Sequence, residues 1–376
     1  MAAAWRLAAL VLLLWQLQDY AWSNVARQAQ ARTAGPPRVA LITGASTGLG
    51  LATAQGLAQS YGLVILAGRD ELKHQSALAT LRKDAEGTEF RHVPCDLDSL
   101  TSVRRCAQEI LAMKVPLDCL VLNAGVMALP QRQETSDGHE YQLGVNYLGH
   151  FLLANLLLDH MASSASHGDP GRVISLSSSA HLIPSSLQRG NLGNLQSKDY
   201  TPWQAYGQSK LANLLFAYEL DRRCRVRGVP IASNAVHPGA VATELKRHLN
   251  AEKNTDSALE GAYETAKGLV QPLLDLIVQS PQDGAKTSVL LATQEEGKLS
   301  GHYWQESRPS ASLDVEVQGL LPPPQRALRI VSRLVKALQP PEPEPTSYDP
   351  TTWRRLWDQS EKLVGLSDQE RPGVLH

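Results

Sequence analysis

The sequence predicts an α/β protein with one doubly wound parallel sheet and helices on both faces. Two observations predict it. From Arg38 onward, short and continuously apolar segments alternate with longer amphipathic segments, and such runs are typical of parallel strands buried on both faces. A glycine-rich turn, TGASTGLG at 43–50, joins the first apolar segment to the first helix. Right-handed crossovers between parallel strands then give a sheet wound in both directions.

The elements follow one another in regular order. The predicted strands are RVALIT at 38–43, LVILAG at 63–68, FRHVPCD at 90–96, LDCLVLNAG at 117–125, RVISLSSS at 172–179 and IASNAVHPG at 231–239. The helices between the first four strands are predicted at 51–60, 69–84 and 99–114. This regular pattern runs to about residue 320, so we predict a single Rossmann-like domain over residues 36–320.

Composition excludes some classes of function. The 376 residues are 43% apolar and carry a formal net charge of −1, which is typical of a globular protein and gives no electrostatic reason to expect nucleic acid as a partner. The four cysteines, at 95, 106, 119 and 224, form no CxxC pair, and no histidine stands at metal-ligand spacing from them. The sequence therefore predicts buried thiols and no metal site.

Residues 1–35 have a different character. Arg6 precedes an apolar run over residues 7–17, which is shorter than the ~20 residues of an ordinary membrane span. The pattern predicts a signal peptide or a short signal anchor, and the lack of a small-x-small cleavage site favours the anchor. We therefore expect a membrane-associated protein of the endoplasmic reticulum. Secretion and organelle targeting are the alternatives.

Residues 321–376 are predicted to form a proline-rich and helical extension. Within it Arg326, Arg329, Arg333 and Lys336 share one face of a predicted amphipathic helix. The favoured interpretation is a helix packed on the core with a solvated basic face. The alternative is a helix that contacts a membrane surface.

The glycine-rich turn predicts a phosphate site. Gly44, Gly48 and Gly50 allow a tight turn and close approach of a ligand to the backbone. The helix that begins there directs free N–H groups and the positive end of its dipole at the turn. The spacing is G-x-x-x-G-x-G, and its place between a strand and a helix predicts a dinucleotide pyrophosphate.

The end of the second strand indicates which dinucleotide binds. A carboxylate there usually holds a ribose 2′-hydroxyl, but this chain has Arg69, which can pair with a 2′-phosphate. We therefore predict NADP(H). Asp70 follows at once; we interpret it as the cap of the next helix, and the alternative, contact with the ribose, favours NAD(H). Asp96, at the end of the third strand, is placed to meet the adenine.

Several motifs together resemble the short-chain dehydrogenase/reductase family. They are Thr43-Gly-x-x-x-Gly-x-Gly50, Asn123-Ala-Gly125, Asn146, Ser178, Tyr206-x-x-x-Lys210 and His237-Pro-Gly239. NAGVMALPQR and GVNYLGHFLLANLLLD are similar to the X-linked dehydrogenase/reductase and retinol dehydrogenase group, whose members are membrane-associated and act on long isoprenoid alcohols and aldehydes. ITGASTGLGLATAQ and LWDQSEKLVGL resemble light-dependent protochlorophyllide reductases.

The resemblance to protochlorophyllide reductases is local. Those enzymes have cysteines where this chain has Ala212 and Ala240, and a long insertion between the serine and the tyrosine. Here that gap is only 206 − 178 = 28 residues. Chlorin reduction is therefore disfavoured.

The family resemblance implies roles for individual residues. Tyr206 would exchange a proton with the substrate oxygen, and the ammonium of Lys210, one helical turn away, would lower the pKa of the phenol. Ser178 would bind the substrate oxygen, with Ser179 as the alternative, and Asn146 would hold a water linked to Lys210. The implied cofactor-binding residues are Thr43, Gly44, Ser46, Gly48, Leu49, Gly50, Arg69, Asp96, Leu97, Asn123, Ala124, Gly125, Tyr206, Lys210, Pro238, Gly239, Val241 and Thr243.

The largely apolar stretch over residues 245–280 is expected to cover the substrate. The sequence thus predicts an NADP(H)-dependent oxidoreductase that interconverts a lipophilic alcohol, isoprenoid or retinoid-like, and its aldehyde or ketone. Two alternatives stay open at this point: a non-catalytic NADP(H)-binding protein tethered to a membrane, and a protochlorophyllide reductase-like enzyme. His150 and His181 are interpreted as structural.

Overall fold

A central sheet organises the molecule. Its strands are β1 (Val39–Thr43), β2 (Leu63–Gly68), β3 (Glu89–Pro94), β4 (Cys119–Leu122), β5 (Gly171–Leu176), β6 (Ile231–His237), β7 (Tyr303–Gln305) and β8 (Arg308–Pro309). They lie in the order β3-β2-β1-β4-β5-β6-β7-β8. The strands from β1 to β7 are parallel, and β8 pairs antiparallel with β7. The order reverses next to β1, as the predicted doubly wound sheet requires.

The computed structural model describes residues 37–165, 169–183, 200–239, 280–293, 300–305, 308–309 and 350–375. Its helices are α1 (Gly48–Leu57), α2 (Glu71–Asp84), α3 (Leu100–Ala112), α4 (Tyr141–Leu143), α5 (Gly149–Ser164), α6 (Pro202–Arg227), α7 (Pro281–Thr293) and α8 (Pro350–Leu363). A π-helical turn, Gly144–Leu148, connects α4 to α5. All of these elements belong to one unit, formed by Pro37–Ser310 and Tyr348–His376.

The sheet separates two apolar cores. Successive strand side chains point to opposite faces, so Leu41 and Ile65 join one buried cluster with residues of α3, α5 and α6. Ile42 and Leu66 join the other cluster, with residues of α1, α2 and α7. These strand side chains are almost completely buried. The predicted sheet with helices on both faces is confirmed.

The chain end packs on this unit. Trp357 of α8 is buried and stacks on Phe216 of α6, with ring centroids 5.7 Å apart. The hydroxyls of Tyr147 and Ser360 lie 2.7 Å apart. Residues 350–375, assigned from sequence to a helical extension, therefore complete the core beside α5 and α6. The boundaries predicted at 35 and 320 stay predictions.

Within the described residues, no helix has both the length and the apolar character needed to cross a membrane. The predicted signal or anchor segment at 1–35 lies outside the described residues. So do the basic segment around Arg326 to Lys336 and nearly all of the predicted substrate cover at 245–280.

Candidate active site

A cavity of about 700 Å³ lies at the carboxyl ends of the parallel strands. Residues at the ends of β1, β2, β5 and β6 line it: Thr43, Gly68, Leu176 and His237. The predicted cofactor-binding residues that the structure describes all line this cavity. Val241 and Thr243 lie outside the described residues. Parallel strands end at one edge of a sheet, which is why residues distant in sequence meet here.

The glycine-rich turn closes one wall of the cavity. Gly44 and Gly48 have φ angles of 64° and 55°, a left-handed conformation that strains other residues. A Cβ at Gly50 would collide with the Gly44 carbonyl and lie 2.6 Å from Asn123 Nδ2. Thr47, at the start of α1, makes no side-chain cap hydrogen bond, and the first turn of α1 has no acidic residue. The free N–H groups and the absent side chains fit a pyrophosphate.

Helix α6 brings a tyrosine and a lysine to the opposite wall. Pro202 occupies its first turn and Thr201 caps it, accepting a 3.4 Å hydrogen bond from the Gln204 N–H. Tyr206 and Lys210, one turn apart, therefore share a helix face. Both line the cavity, and both are almost completely buried.

Ser178 stands beside this pair. It directly follows the loop residue Ser177 after β5, and its side chain lies close enough to the Tyr206 phenol to lower the pKa of that phenol. Lys210 Nζ donates to the Leu176 carbonyl at 3.0 Å and lies 5.6 Å from the centroid of the Tyr206 ring. The structure thus brings Ser178, Tyr206 and Lys210 together on the cavity wall.

Comparison with known proteins agrees with this arrangement. A model of the short chain dehydrogenase family matches residues 38–190. Polyprenol dehydrogenase from Homo sapiens is 39% identical over 282 residues, which cover 74% of this chain and 80% of that protein. The chain belongs to the short-chain dehydrogenase family. Retinol dehydrogenase 13 from Homo sapiens is 38% identical and covers 90% of this chain and 87% of its own.

Solved structures of other proteins share the fold. An uncharacterized protein from Mycobacterium Paratuberculosis superimposes with a TM-score of 0.57 at 30% identity, covering 87% of this chain and 93% of its own. RhlG from Pseudomonas aeruginosa, solved as a complex with NADP, gives a TM-score of 0.52 at 26% identity, covering 71% of this chain and 94% of its own. The relation to the retinol dehydrogenase group, predicted from sequence, is confirmed.

The protonation of the dehydrogenase site differs from the sequence prediction. Burial raises the pKa of Tyr206 to about 12, against the opposing effect of the Ser178 side chain. Burial lowers the pKa of Lys210 to about 8. In the protein by itself the pKa of Tyr206 is therefore raised, and its lowering by Lys210 stays a prediction. Burial of the phenol dominates, and the ammonium is directed at the Leu176 carbonyl.

Asn146 has a different environment from the one predicted. It is fully buried in the π-helical turn and does not line the cavity. Its Nδ2 donates to the Val126 carbonyl and to Ser209 Oγ, both at 2.9 Å, and its Oδ1 accepts from the Val126 N–H at 2.7 Å. Both amide hydrogens are committed, so the side chain fastens Val126 to α6. The water relay through Asn146 stays a prediction.

A buried network fixes the wall between β1 and β4. The Thr43 hydroxyl accepts from the backbone N–H groups of Asn123 and Ala124, at 2.9 and 3.0 Å, and lies 2.8 Å from His150 Nε2. His150 Nδ1 is 2.9 Å from the Asn146 carbonyl, which can only accept, so Nδ1 carries the proton. Burial lowers the pKa of His150 to about 4, and the neutral ring accepts from Thr43.

Charged side chains line the cavity beyond β2 and β3. Arg69 donates a 3.3 Å hydrogen bond to the Tyr141 hydroxyl, and this bond raises the pKa of its guanidinium. Asp70 accepts from the Lys73 N–H at 3.0 Å, so its interpretation as the cap of α2 is confirmed. Asp96 Oδ1 accepts from the Asp98 N–H at 3.1 Å. Arg69 and Lys73 thus place two cations near the end of β2.

The structure also places residues on the cavity wall that were not predicted. The most informative are Lys73, Met127, Ile183 and Trp203. Trp203 could have been found from the sequence, because it stands three residues before Tyr206 on the same helix face. Met127 and Ile183 follow strand ends in loops, where no periodic pattern indicates the direction of a side chain.

Proposed function

We propose that this dehydrogenase interconverts a lipophilic alcohol, isoprenoid or retinoid-like, and its aldehyde or ketone, with NADP(H) as the cofactor. The observation that carries the proposal is the placement of Ser178, Tyr206 and Lys210 on the cavity that the glycine-rich turn closes. The relatives include proteins named polyprenol dehydrogenase and retinol dehydrogenase, and these names support an isoprenoid or retinoid-like alcohol as the substrate. The NADP complex of RhlG supports the cofactor.

Different parts of the cavity wall would bind different parts of the NADP(H) molecule. The glycine-rich turn and the first turn of α1 would hold the pyrophosphate, and Arg69 with Lys73 would hold the 2′-phosphate. When bound, the nicotinamide supplies or accepts a hydride.

In the reaction, the side chains of the protein transfer a proton and orient the substrate oxygen. Tyr206, protonated at neutral pH because its pKa is about 12, donates to the substrate oxygen in carbonyl reduction and recovers a proton in alcohol oxidation. Ser178, beside the phenol on the same cavity wall, orients the same oxygen. Lys210 supplies positive charge beneath the Tyr206 ring, 5.6 Å from its centroid.

A cofactor-resolved activity screen tests the proposal. The full-length protein is assayed against retinol, farnesol and geranylgeraniol with NADP⁺ or NAD⁺, and against the matching aldehydes with NADPH or NADH. We expect turnover that prefers the phosphorylated cofactor. Tight NADPH binding without turnover of any of these substrates would instead favour a non-catalytic binding protein.

Replacing Arg69 with glutamine is expected to raise the KM for NADPH about tenfold and to leave the KM for NADH nearly unchanged. Charge-assisted hydrogen bonds contribute about 1.5–3 kcal/mol, and the retained Lys73 limits the loss. Arg105→Gln, an exposed change on α3 outside the cavity, is the control of equal charge. Equal losses with both cofactors would show that Arg69 does not contact the 2′-phosphate.

We also propose that the protein is held at a membrane of the endoplasmic reticulum by residues 1–35. The support is the apolar run after Arg6. We propose that the basic face from Arg326 to Lys336 is a solvated surface of the folded chain. The alternative is that this face contacts a membrane. If it does, substituting its four basic residues with glutamine would weaken liposome binding.

A further inference from the structure

Three apolar side chains, Met127, Ile183 and Trp203, line the cavity that Tyr206 also lines; we name them the apolar lip. Ile183 is 46% exposed and Trp203 is 44% exposed, values that are high for large apolar residues. Their exposure on the same cavity indicates a surface that an apolar ligand can cover.

The apolar lip is attached to the elements that carry the reacting groups. Trp203 lies in the first turn of α6, three residues before Tyr206, and the two rings meet edge to face with centroids 6.1 Å apart. Ile183 caps the 3₁₀ turn Ser179–Leu182, which begins directly after Ser178. Any group bound against Trp203 and Ile183 therefore lies beside the Ser178–Tyr206 pair.

The loop that carries Met127, the third residue of the apolar lip, is fixed by hydrogen bonds to a buried side chain. Met127 precedes Ala128, whose φ of 48° is left-handed and strained for alanine. The Ala128 N–H donates to Gln142 Oε1 at 2.8 Å. Gln142 is fully buried, and its Nε2 donates to the Tyr200 hydroxyl and the Pro202 carbonyl, at 3.0 and 3.1 Å. One amide thus fixes the Met127 loop against the start of α6, which carries Trp203.

Charge is distributed unevenly along the cavity. Arg69, Asp70, Lys73 and Asp96 follow β2 and β3, and β2 lies three strands from β5, or about 14 Å at the usual strand spacing. Near Tyr206 the described cavity wall has one ammonium, on Lys210, and it donates to the Leu176 carbonyl. His237 is neutral there, because burial lowers its pKa to about 4. No charged side chain belongs to the lip.

We propose that Trp203 determines substrate specificity: with Ile183 and Met127 it binds the hydrocarbon chain next to the reacting carbinol and selects long-chain over short-chain alcohols. This inference rests on the proposed function, since it assumes a lipophilic alcohol at Tyr206. The occupant is the substrate chain rather than another segment of the protein, because the lip is continuous with the wall that carries Tyr206 and Ser178.

The test compares two alcohols with the same reacting group, prenol and geranylgeraniol, in the full-length protein. Trp203→Ala is expected to lower the ratio of their kcat/KM values, long to short, about tenfold, which is about 1.4 kcal/mol. The change is expected in the KM of the long alcohol. Trp203→Phe, which keeps an aromatic face, is expected to retain most of the ratio. Val226→Ala, at a 70% exposed position of the same helix outside the cavity, is the matched control.

Two outcomes would overturn the inference. An unchanged ratio would mean that the chain does not contact Trp203. A fall of kcat by the same factor for both alcohols would mean that Trp203 only positions Tyr206. Equilibrium binding of geranylgeraniol, measured without turnover, is expected to weaken about tenfold in Trp203→Ala. The binding measurement tests the role of Trp203 even if the wild-type protein oxidises neither alcohol. The absence of oxidation would refute the proposed function, but not the role of Trp203 in binding.

Discussion

Tyr206→Phe is expected to lower kcat about 10³-fold in both directions, with the Kd for NADPH changed less than about twofold, because general acid–base catalysis contributes roughly 10²–10⁴-fold. The substitution removes the phenolic oxygen, whose pKa the Ser178 side chain lowers, and keeps the ring that packs beside Trp203. Steady-state kinetics and a direct NADPH titration measure the two effects separately.

The control for this substitution is on the same helix. Tyr218 of α6 is also buried, packs against Trp353 and does not line the cavity, so Tyr218→Phe is expected to keep wild-type kcat. The pH dependence adds a second readout. Since the pKa of Tyr206 is about 12, wild-type alcohol oxidation is expected to accelerate as pH rises toward that value, and carbonyl reduction is not. A Tyr206→Phe variant that keeps a tenth of wild-type kcat would exclude Tyr206 as the proton donor.

Much of the fold could be predicted because each apolar segment carries its own signal. Strands β1, β2 and β4 are short apolar runs, and the turn at 43–50 marks the switch from strand to helix. Strand β7 was missed because it has only three residues, Tyr303–Gln305, and no apolar run. Its place in the sheet depends on pairing with β6, for example Trp304 opposite Val236, which is a tertiary contact.

The location of the candidate site could also be predicted, but not its electrostatics. Strand ends gather at one edge of a parallel sheet whatever their separation in sequence, so Ser178 and Tyr206 were expected to be close. The pKa of Tyr206 depends instead on how deeply tertiary packing buries the phenol. A spacing of four residues shows that Lys210 shares the helix face. It does not show that Leu176 takes the hydrogen bond from its ammonium.

The same reasoning explains Asn146. A motif position indicates that an asparagine is required, but the number of partners for its amide follows only from packing. Here Val126 and Ser209 occupy both amide hydrogens. The π-helical turn that holds Asn146 leads into α5 and also places His150 against Thr43. This turn therefore fixes the ends of β1 and β4. Sequence periodicity contains no indication of this connection.

Lys210→Met is expected to abolish turnover and, at pH 7, to stabilise the protein. The ammonium is almost completely buried, and burial lowers its pKa from 10.5 to about 8. At about 1.4 kcal/mol for each pKa unit, the folded state then bears a penalty of about 3 kcal/mol at neutral pH. Methionine has a similar length and no charge. The Leu176 carbonyl keeps a second donor, Asn213 Nδ2 at 3.0 Å, so no buried acceptor is orphaned.

The sign of the pH dependence makes this prediction specific. Below pH 8 the lysine is charged in both the folded and the unfolded state, and the penalty is complete; between pH 8 and 10.5 the unfolded state binds more protons, so wild-type stability rises with pH. In urea unfolding, the difference in the free energy of unfolding between Lys210→Met and wild type is therefore expected to fall by roughly half from pH 7 to 9.5. Lys83→Met, at an exposed position of α2, is the control and is expected to change stability little at either pH. If Lys210→Met instead destabilised the protein at pH 7, the ammonium would contribute more through its hydrogen bond to Leu176 than its burial costs.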